Sequence, residues 1–302
     1  MIWSQSSYAA EHQGILYLVP TPIGNLEDIT FRALEVLKTV DYIACEDTRH
    51  TRKLLNHFQI DQMLVSYHEH NKKQQGSRLI SDLKQGKRIA LVTDAGMPAI
   101  SDPGEDLVQQ AVAERIPVIS LPGANAALTG LVASGLSTRQ FLFCGFLERK
   151  PKARQEQLAA LSRLPYTLIF YEAPHRLVET LEDMVEILGD RRAVLVRELT
   201  KRFEEYIRGT LGELYQWAQD QDVRGECTLI VDKGEHFALT SEQPPWWQQL
   251  TIKEHVEHYI EQGYAPKEAI KQTSKERQLP RREVYHLYHG LGQDDGQGKQ
   301  NP

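Results

Sequence analysis

Short apolar runs alternate with amphipathic stretches between residues 14 and 135. In "TFRALEVLKTV" at 30–40, Phe31, Leu34 and Leu37 recur every three residues, which predicts one face of a helix. The runs predicted as buried strands are "ILYLVP" (15–20), "DYIACE" (41–46), "MLVSY" (63–67), "RIALVTD" (88–94) and "PVISLP" (117–122). Near-continuous apolar strands separated by helices are typical of a mainly parallel sheet that is covered on both faces.

The same alternation starts again at "FLFCGF" (141–146), which predicts a second α/β domain. Its helix "HRLVETLEDMVEILG" places Leu177, Leu181 and Leu188 on one face. Three short helix-like pieces near the C-terminus predict a compact helical unit. The predicted organisation is a flexible leader (1–13), an N-terminal α/β domain (14–137), a second α/β domain (138–238), a linker (239–250), a helix-turn-helix-like unit (251–291) and a disordered tail (292–302).

The composition is that of an ordinary soluble globular protein, with 41% hydrophobic and 25% charged residues among 302. A net charge of −6 argues against an evenly basic nucleic-acid-binding surface, although local basic patches remain. No apolar stretch approaches the ~18–20 residues of a membrane span, and we expect no signal peptide. Cys45, Cys144 and Cys227 are scattered without a C-x-x-C, so we expect a reducing cytoplasm and no zinc site.

The loop after the first predicted strand, "VPTPIGNLEDIT" (19–30), is a poor pyrophosphate cradle. A dinucleotide-binding fold would carry G-x-G-x-x-G there, but Gly24 stands alone between Pro22 and Asn25. Proline also removes an N–H donor from this loop. A nicotinamide enzyme is therefore disfavoured, and the loop is either a rigid connection or part of another kind of ligand site.

Polar and small residues follow the later strands of the first domain. In "VTDAGMPAISDPGEDL" (92–107), Asp94 ends a strand and is predicted to be functional, whereas Asp102 is predicted to cap the next helix. In "LPGANAAL" (121–128), small residues allow a ligand to approach the backbone, although close helix packing explains them equally well. In "FYEAPHRL" (170–177), Glu172 and His175 lie where a strand gives way to a helix. These strand ends are where ligands bind in open α/β sheets.

The order and spacing of five segments resemble one known family. "LYLVPTPIGNLEDIT", "EDTR", "VTDAGMPAISDPG", "LPGANAAL" and "FYEAPHRL" together are similar to the bacterial ribosomal RNA small subunit methyltransferase I family, which is tetrapyrrole-methylase-like. The resemblance covers roughly residues 14–290 and departs at Ala124 and Asn125, where a proline and a small residue are expected. It implies two α/β domains with S-adenosylmethionine in the cleft between them, in a homodimer. The implied reaction is 2′-O-methylation of a decoding-site cytidine in 16S rRNA, within the small ribosomal subunit.

That reaction assigns roles to the residues of these segments. Methyl transfer from a sulfonium requires alignment, and a ribose hydroxyl requires a proton acceptor, but neither requires a metal, and no metal-ligand cluster is visible. Glu46 and Asp47 are the predicted acceptors, and Arg49 is predicted to bind a phosphate; an internal Asp–Arg ion pair is the alternative. The predicted cofactor contacts are Pro22, Gly24, Asp94, Gly96, Ile100, Ser101, Gly123, Ala124 and Glu172.

Basic residues outside the strand ends are candidates for contacting RNA phosphates. They are Lys150, Lys152 and Arg154 in the second domain, and Arg281 and Arg282 in the helical unit. Two other functions remain open at this stage. A tetrapyrrole methylase of the same fold would need neither the basic stretch 148–154 nor the helical unit. A non-enzymatic nucleic-acid-binding protein would not need Asp94 and its loop.

Overall fold

A computed structural model describes residues 2–5, 14–234, 246–248 and 250–290 of the chain. The chain divides into two compact units, Met1–Gly234 and Glu235–Pro302. The predicted first α/β domain and the predicted second one, apart from its last four residues (235–238), fall within the first unit, and the predicted helical unit falls within the second. Most of the predicted leader (1–13), most of the linker (239–250) and the whole tail (292–302) lie outside the described residues.

The first half of the larger unit is built on a five-stranded parallel sheet with the order β3-β2-β4-β1-β5. Its strands are β1 (Ile15–Leu18), β2 (Tyr42–Cys45), β3 (Leu64–Ser66), β4 (Arg88–Val92) and β5 (Val118–Ser120). Its helices are α1 (Phe31–Thr39), α2 (Thr48–His57), α3 (Lys72–Lys84), α4 (Glu105–Ala113) and α5 (Ala126–Ser134). The predicted parallel sheet is thus confirmed.

Helices cover both faces of this sheet. Since successive side chains of a strand point to opposite sides, each strand contributes to two cores. In β1, Ile15 and Tyr17 belong to the core under α1 and α2, whereas Leu16 and Leu18 belong to the core under α3 and α4. Helix α5 packs instead on the second sheet, where Leu131 shares a core with residues of β7, β8 and β10. This shared core makes the two halves one compact unit.

The second half carries a mixed five-stranded sheet with the order β6-β7-β10-β8-β9. Only β6 and β7 are parallel, and the other three pairs are antiparallel. The strands are β6 (Phe141–Phe146), β7 (Thr167–Glu172), β8 (Arg192–Arg197), β9 (Glu205–Thr210) and β10 (Cys227–Val231), and the helices are α6 (Pro151–Leu161), α7 (Leu177–Leu188) and α8 (Leu211–Gln219). Sequence reasoning missed β9 and α8.

Within its described residues, the smaller unit contains three helices around a small core. They are α9 (Ile252–Glu261), α10 (Pro266–Arg277) and α11 (Arg281–His289). Val256, Tyr259, Ile270 and Val284 are buried between them, as the predicted three-helix unit requires. Among the described helices, none combines the length and the apolar character needed to cross a membrane.

Candidate active site

A cavity of about 560 Å³ lies within the larger unit, between its two sheets. This volume is within the roughly 300–1,000 Å³ of typical ligand pockets. Its first wall consists of Glu46 after β2, residues 94–102 after β4 and the start of α5. Its second wall comes from β6, from the end of β7 and from residues around the start of β10. The carboxyl ends of the parallel strands therefore face a cavity, as expected for open α/β sheets.

The loop after β4 is held against the loop after β1 by backbone hydrogen bonds. The N–H of Thr21 donates to the carbonyl of Gly96 at 2.9 Å, and the N–H of Gly96 donates back at 3.0 Å. Farther along the loop, Ala99 and Ser101 have φ values of 66° and 61°, a left-handed conformation that is uncommon for residues other than glycine. The fixed loop presents Asp94 and its neighbours to the cavity.

Three carboxylates of the first wall share the cavity: Glu46, Asp94 and Asp102. Burial, and then the charge of Asp94, raises the pKa of Glu46. Burial, followed by the charges of Glu46 and Asp94, raises the pKa of Asp102 to about 7. The prediction that Asp102 caps a helix is wrong, because Gly104 occupies the N-cap position of α4 and Asp102 lines the cavity.

Asp47 and Arg49 pair with each other beside the cavity. The Asp47 carboxylate accepts a hydrogen bond from the backbone N–H of Arg49 at 2.7 Å, which caps α2, and it bonds the guanidinium at 2.9 Å. These bonds lower the pKa of Asp47 to about 2. The internal ion pair, the alternative interpretation of this segment, is therefore present. Asp47 reaches the site only through its N–H, which donates to Asp94 Oδ1 at 3.2 Å.

The predicted cofactor contacts divide into two groups. Asp94, Gly96, Ile100 and Ser101 line the cavity, as does Glu172. Glu172 is only 2% exposed, and its carboxylate already forms hydrogen bonds within the protein. It accepts hydrogen bonds from Thr180 Oγ1 at 2.7 Å and from the N–H of Ala173 at 2.8 Å. Glu172 therefore holds the turn after β7 rather than offering a free carboxylate.

Pro22, Gly24, Gly123 and Ala124 are not among the residues that line the cavity, although their neighbours Ile23 and Asn125 are. Two of the four are glycines for reasons of packing. A Cβ on Gly24 would lie 2.3 Å from Lys201 Cγ, and a Cβ on Gly123 would lie 2.6 Å from Pro20 Cβ. Such distances are far below van der Waals contact. These glycines therefore allow the loops that flank the cavity to approach each other.

The basic residues predicted to contact RNA also differ in their surroundings. Lys150 and Lys152 are exposed at the start of α6. Arg154 is buried, and its Nε donates to Asp183 Oδ2 at 2.5 Å. Its prediction as an RNA contact is therefore wrong, because one helical turn beyond Lys150 the side chain points into the core. In the smaller unit, Arg281 and Arg282 line a shallow groove together with Lys267, Ile270 and Tyr285.

The family of the chain follows from sequence comparison. The model of the tetrapyrrole (corrin/porphyrin) methylases matches residues 15–215. A Bacillus subtilis protein named ribosomal RNA small subunit methyltransferase I is 55% identical over 276 residues, which cover 91% of this chain and 94% of the relative. The chain belongs to the ribosomal RNA small subunit methyltransferase I family. A Halalkalibacterium halodurans protein of the same name is 55% identical over 285 residues, covering 94% of the chain and 98% of that protein.

A solved structure places this methyltransferase I family member in a known fold. Uroporphyrin-III C-methyltransferase from Thermus thermophilus, complexed with S-adenosyl homocysteine, matches with a TM-score of 0.54 and 20% identity. The match covers 73% of this chain and 98% of that one, and at this identity it shows the fold alone. The fold class, the family and S-adenosylmethionine as cofactor, all predicted from the motifs, are confirmed.

The cavity of the methyltransferase suits this cofactor. S-adenosylmethionine carries a sulfonium and an ammonium, and the carboxylates of Glu46 and Asp94 favour positive charge in a half-buried site. Ile23 and Met97 add apolar surface of the kind that receives an adenine ring. Within the residues that the structure describes, no group of three or more His, Cys, Asp or Glu side chains is arranged to hold a metal ion.

Sequence reasoning missed most of the second wall of the methyltransferase cavity. Phe146 and Tyr171 form an edge-to-face pair with ring centroids 5.7 Å apart. Lys201 is the one cation among the described residues that line the cavity, and it lies 3.0 Å from Glu198 and 3.1 Å from Glu226. The expectation that ligands bind at the carboxyl ends of strands finds Tyr171 beside Glu172. It misses Glu226 because β10 is antiparallel to β7, so that the beginning of β10 meets the end of β7.

Proposed function

We propose that this chain transfers the methyl group of S-adenosylmethionine to the ribose 2′-oxygen of a decoding-site cytidine in 16S rRNA. The names of relatives that are 55% identical support ribosomal RNA of the small subunit as the substrate. The cytidine and its 2′-oxygen follow from the motif resemblance. The observation that carries the chemistry concerns Glu46 and Asp102, two half-buried carboxylates in the wall of the cavity. Neither accepts a hydrogen bond from the described residues.

The cofactor supplies an activated methyl group when bound, and this chain supplies alignment and a proton acceptor. Asp94 and the backbone around Gly96 and Ser101 bind the cofactor. The Glu46 carboxylate, at the end of β2, faces the incoming hydroxyl. Asp47 contributes indirectly, because its pairing with Arg49 and its N–H bond to Asp94 hold the strand end in place.

The RNA contacts in this proposal are cations that remain free to meet phosphates. The Arg49 side chain is 88% exposed and keeps donors free beyond its bonds to Asp47. Lys150 and Lys152 are exposed as well, and Arg281 and Arg282 provide a basic groove in the smaller unit. We further propose that the protein acts as a homodimer in the cytoplasm on RNA in the small ribosomal subunit.

The test is transfer of tritium from labelled S-adenosylmethionine to isolated small ribosomal subunits, to protein-free 16S rRNA and to a tetrapyrrole. We expect label in the subunits, located in a cytidine whose 3′ linkage resists alkaline hydrolysis, since alkaline cleavage requires a free 2′-hydroxyl. Label on the base, or in the tetrapyrrole alone, would refute the proposal. Label in neither RNA nor tetrapyrrole, with cofactor binding intact, would also exclude it.

A further inference from the structure

Asp102 is a half-buried carboxylate that the structure leaves open to the cavity. Its side chain accepts no hydrogen bond from the described residues, whereas the nearby Asp94 accepts one from Asp47. The backbone that carries it is unusual, because Ala99 and Ser101 both adopt a left-handed conformation within three residues of it. Such conformations cost energy and cluster at functional sites.

The groups around Asp102 are mostly negative. Glu46 follows β2, Asp94 follows β4 and Glu226 precedes β10, and the charges of all three act on Asp102 in addition to its burial. The hydroxyl of Tyr171 on β7 also feels the charge of Asp102, and this hydroxyl accepts a hydrogen bond from the N–H of Ala127.

The cation on the opposite wall pairs with one of these carboxylates, Glu226, and forms no ion pair with Asp102. Lys201 is shared between Glu198 and Glu226, at 3.0 and 3.1 Å. Asp102 therefore lies among three other carboxylates. Its burial, and then the charges of these carboxylates, raise its pKa to about 7, close to the value that suits a general base at neutral pH. Burial and then the charge of Asp94 also raise the pKa of Glu46, and the charge of His68 opposes that rise.

We propose that Asp102 is the general base of the methyl transfer. This inference rests on the proposed function. The ribose 2′-oxygen forms a bond to the methyl carbon, and the carbon–sulfur bond breaks with its electron pair left on sulfur. The hydroxyl proton passes to the Asp102 carboxylate. Glu46 is then a positioning residue, whose charge maintains the basicity of Asp102 and whose oxygens orient the hydroxyl.

The experiment follows single-turnover methyl transfer to small ribosomal subunits from below to above neutral pH. In the wild type, the rate rises with pH to a plateau with a midpoint near the pKa of about 7. Asp102→Asn lowers the plateau rate by about 10²–10⁴-fold and removes the rise. Glu46→Gln keeps the rise but moves its midpoint to lower pH, because one repelling charge is lost. Glu105→Gln, an exposed carboxylate on α4, is the matched control and leaves the profile unchanged.

A second measurement does not depend on activity. In the cofactor-free protein, carbon-13 NMR shows an aspartate carboxyl resonance that titrates near neutral pH, and this resonance is absent in Asp102→Asn. Calorimetry shows that the variant binds S-adenosyl homocysteine as the wild type does. If Asp102→Asn keeps the wild-type rate profile, Asp102 is not the base although the proposed function stands. If it loses cofactor affinity in step with the rate, Asp102 is a cofactor ligand and the inference is wrong. If the wild type itself leaves ribosomal RNA unlabelled, the proposed function fails instead.

Discussion

The buried ion pair of Arg154 and Asp183 offers the sharpest test of the finding that Arg154 is a core residue and not an RNA contact. The two side chains are 3% and 9% exposed, and their bond measures 2.5 Å. Arg154→Met keeps a long apolar stem but leaves the Asp183 carboxylate with only the hydrogen bond from Gln155, at 2.8 Å. Removing one partner of a buried ion pair costs about 3–5 kcal/mol, because the other charge stays buried without compensation.

Urea unfolding measures this loss, with the unfolding free energy extrapolated linearly to zero denaturant. Lys152→Met is the matched control, since it removes an exposed cation from the same helix and should change stability by at most about 0.5 kcal/mol. The reasoning also predicts opposite effects on RNA. Binding to 16S rRNA weakens in the Lys152 variant and is unchanged in the folded Arg154 variant. A loss of less than about 1 kcal/mol for Arg154→Met, together with weaker RNA binding, would show that Arg154 is a surface RNA contact after all.

Three further predictions concern cofactor, RNA and pH. Asp94→Ala should weaken S-adenosylmethionine binding by about tenfold or more in calorimetry, and unchanged affinity would remove Asp94 from the site. Replacing Arg281 and Arg282 by alanine should reduce the dependence of log binding constant on log salt by about 0.7 per lost phosphate contact, with cofactor affinity as the control; an unchanged slope would place RNA elsewhere. Although burial opposes it, the 2.6 Å hydrogen bond from the Tyr42 hydroxyl helps to keep the pKa of Asp82 below its ordinary value. That stabilisation is complete above the unfolded pKa and is lost as pH falls through the lower folded value. Tyr42→Phe should therefore destabilise the protein by about 1.5–3 kcal/mol at neutral pH and by less in acid, and a loss that does not depend on pH would contradict this linkage.

The sequence predicted the first sheet well because its strands are buried on both faces and read as apolar runs. β9, "EYIRGT", pairs only with β8 at the edge of the second sheet. Its residues are half-buried except Arg208, which is exposed, so no apolar run marks the strand. Because β9 was not predicted, α8 was missed as well. The capping box of α8, formed by Thr210 and Glu213, begins at the last residue of β9. The mixed topology of the second sheet was equally out of reach, because strand direction depends on tertiary pairing.

In the candidate site, too, some residues could be predicted from local sequence patterns and others only from the tertiary structure. Strand-end position was enough to select Glu46 and Asp94, because it follows from the parallel topology. Local patterns could not separate Asp102 from a helix cap, since a cap and a cavity residue share the spacing "SDPG" before a helix. Nor could they show that Arg154 faces inward while Lys152 faces solvent, since α6 has basic residues on both sides. Burial and pairing across the fold decide such cases.

The position of β1 has a consequence for synthesis of the protein on the ribosome. β1 is translated before the other described strands and lies between β4 and β5. Among the described strands, it pairs with none that is made sooner than residues 88–92. About 100 residues must follow Leu18 before Val118 of β5 is available beside it. At about 5–20 residues per second, this interval lasts roughly 5–20 s. During that time the apolar side chains of Ile15–Leu18 lack their partners, so this segment of the nascent chain is a natural substrate for chaperones that bind nascent chains.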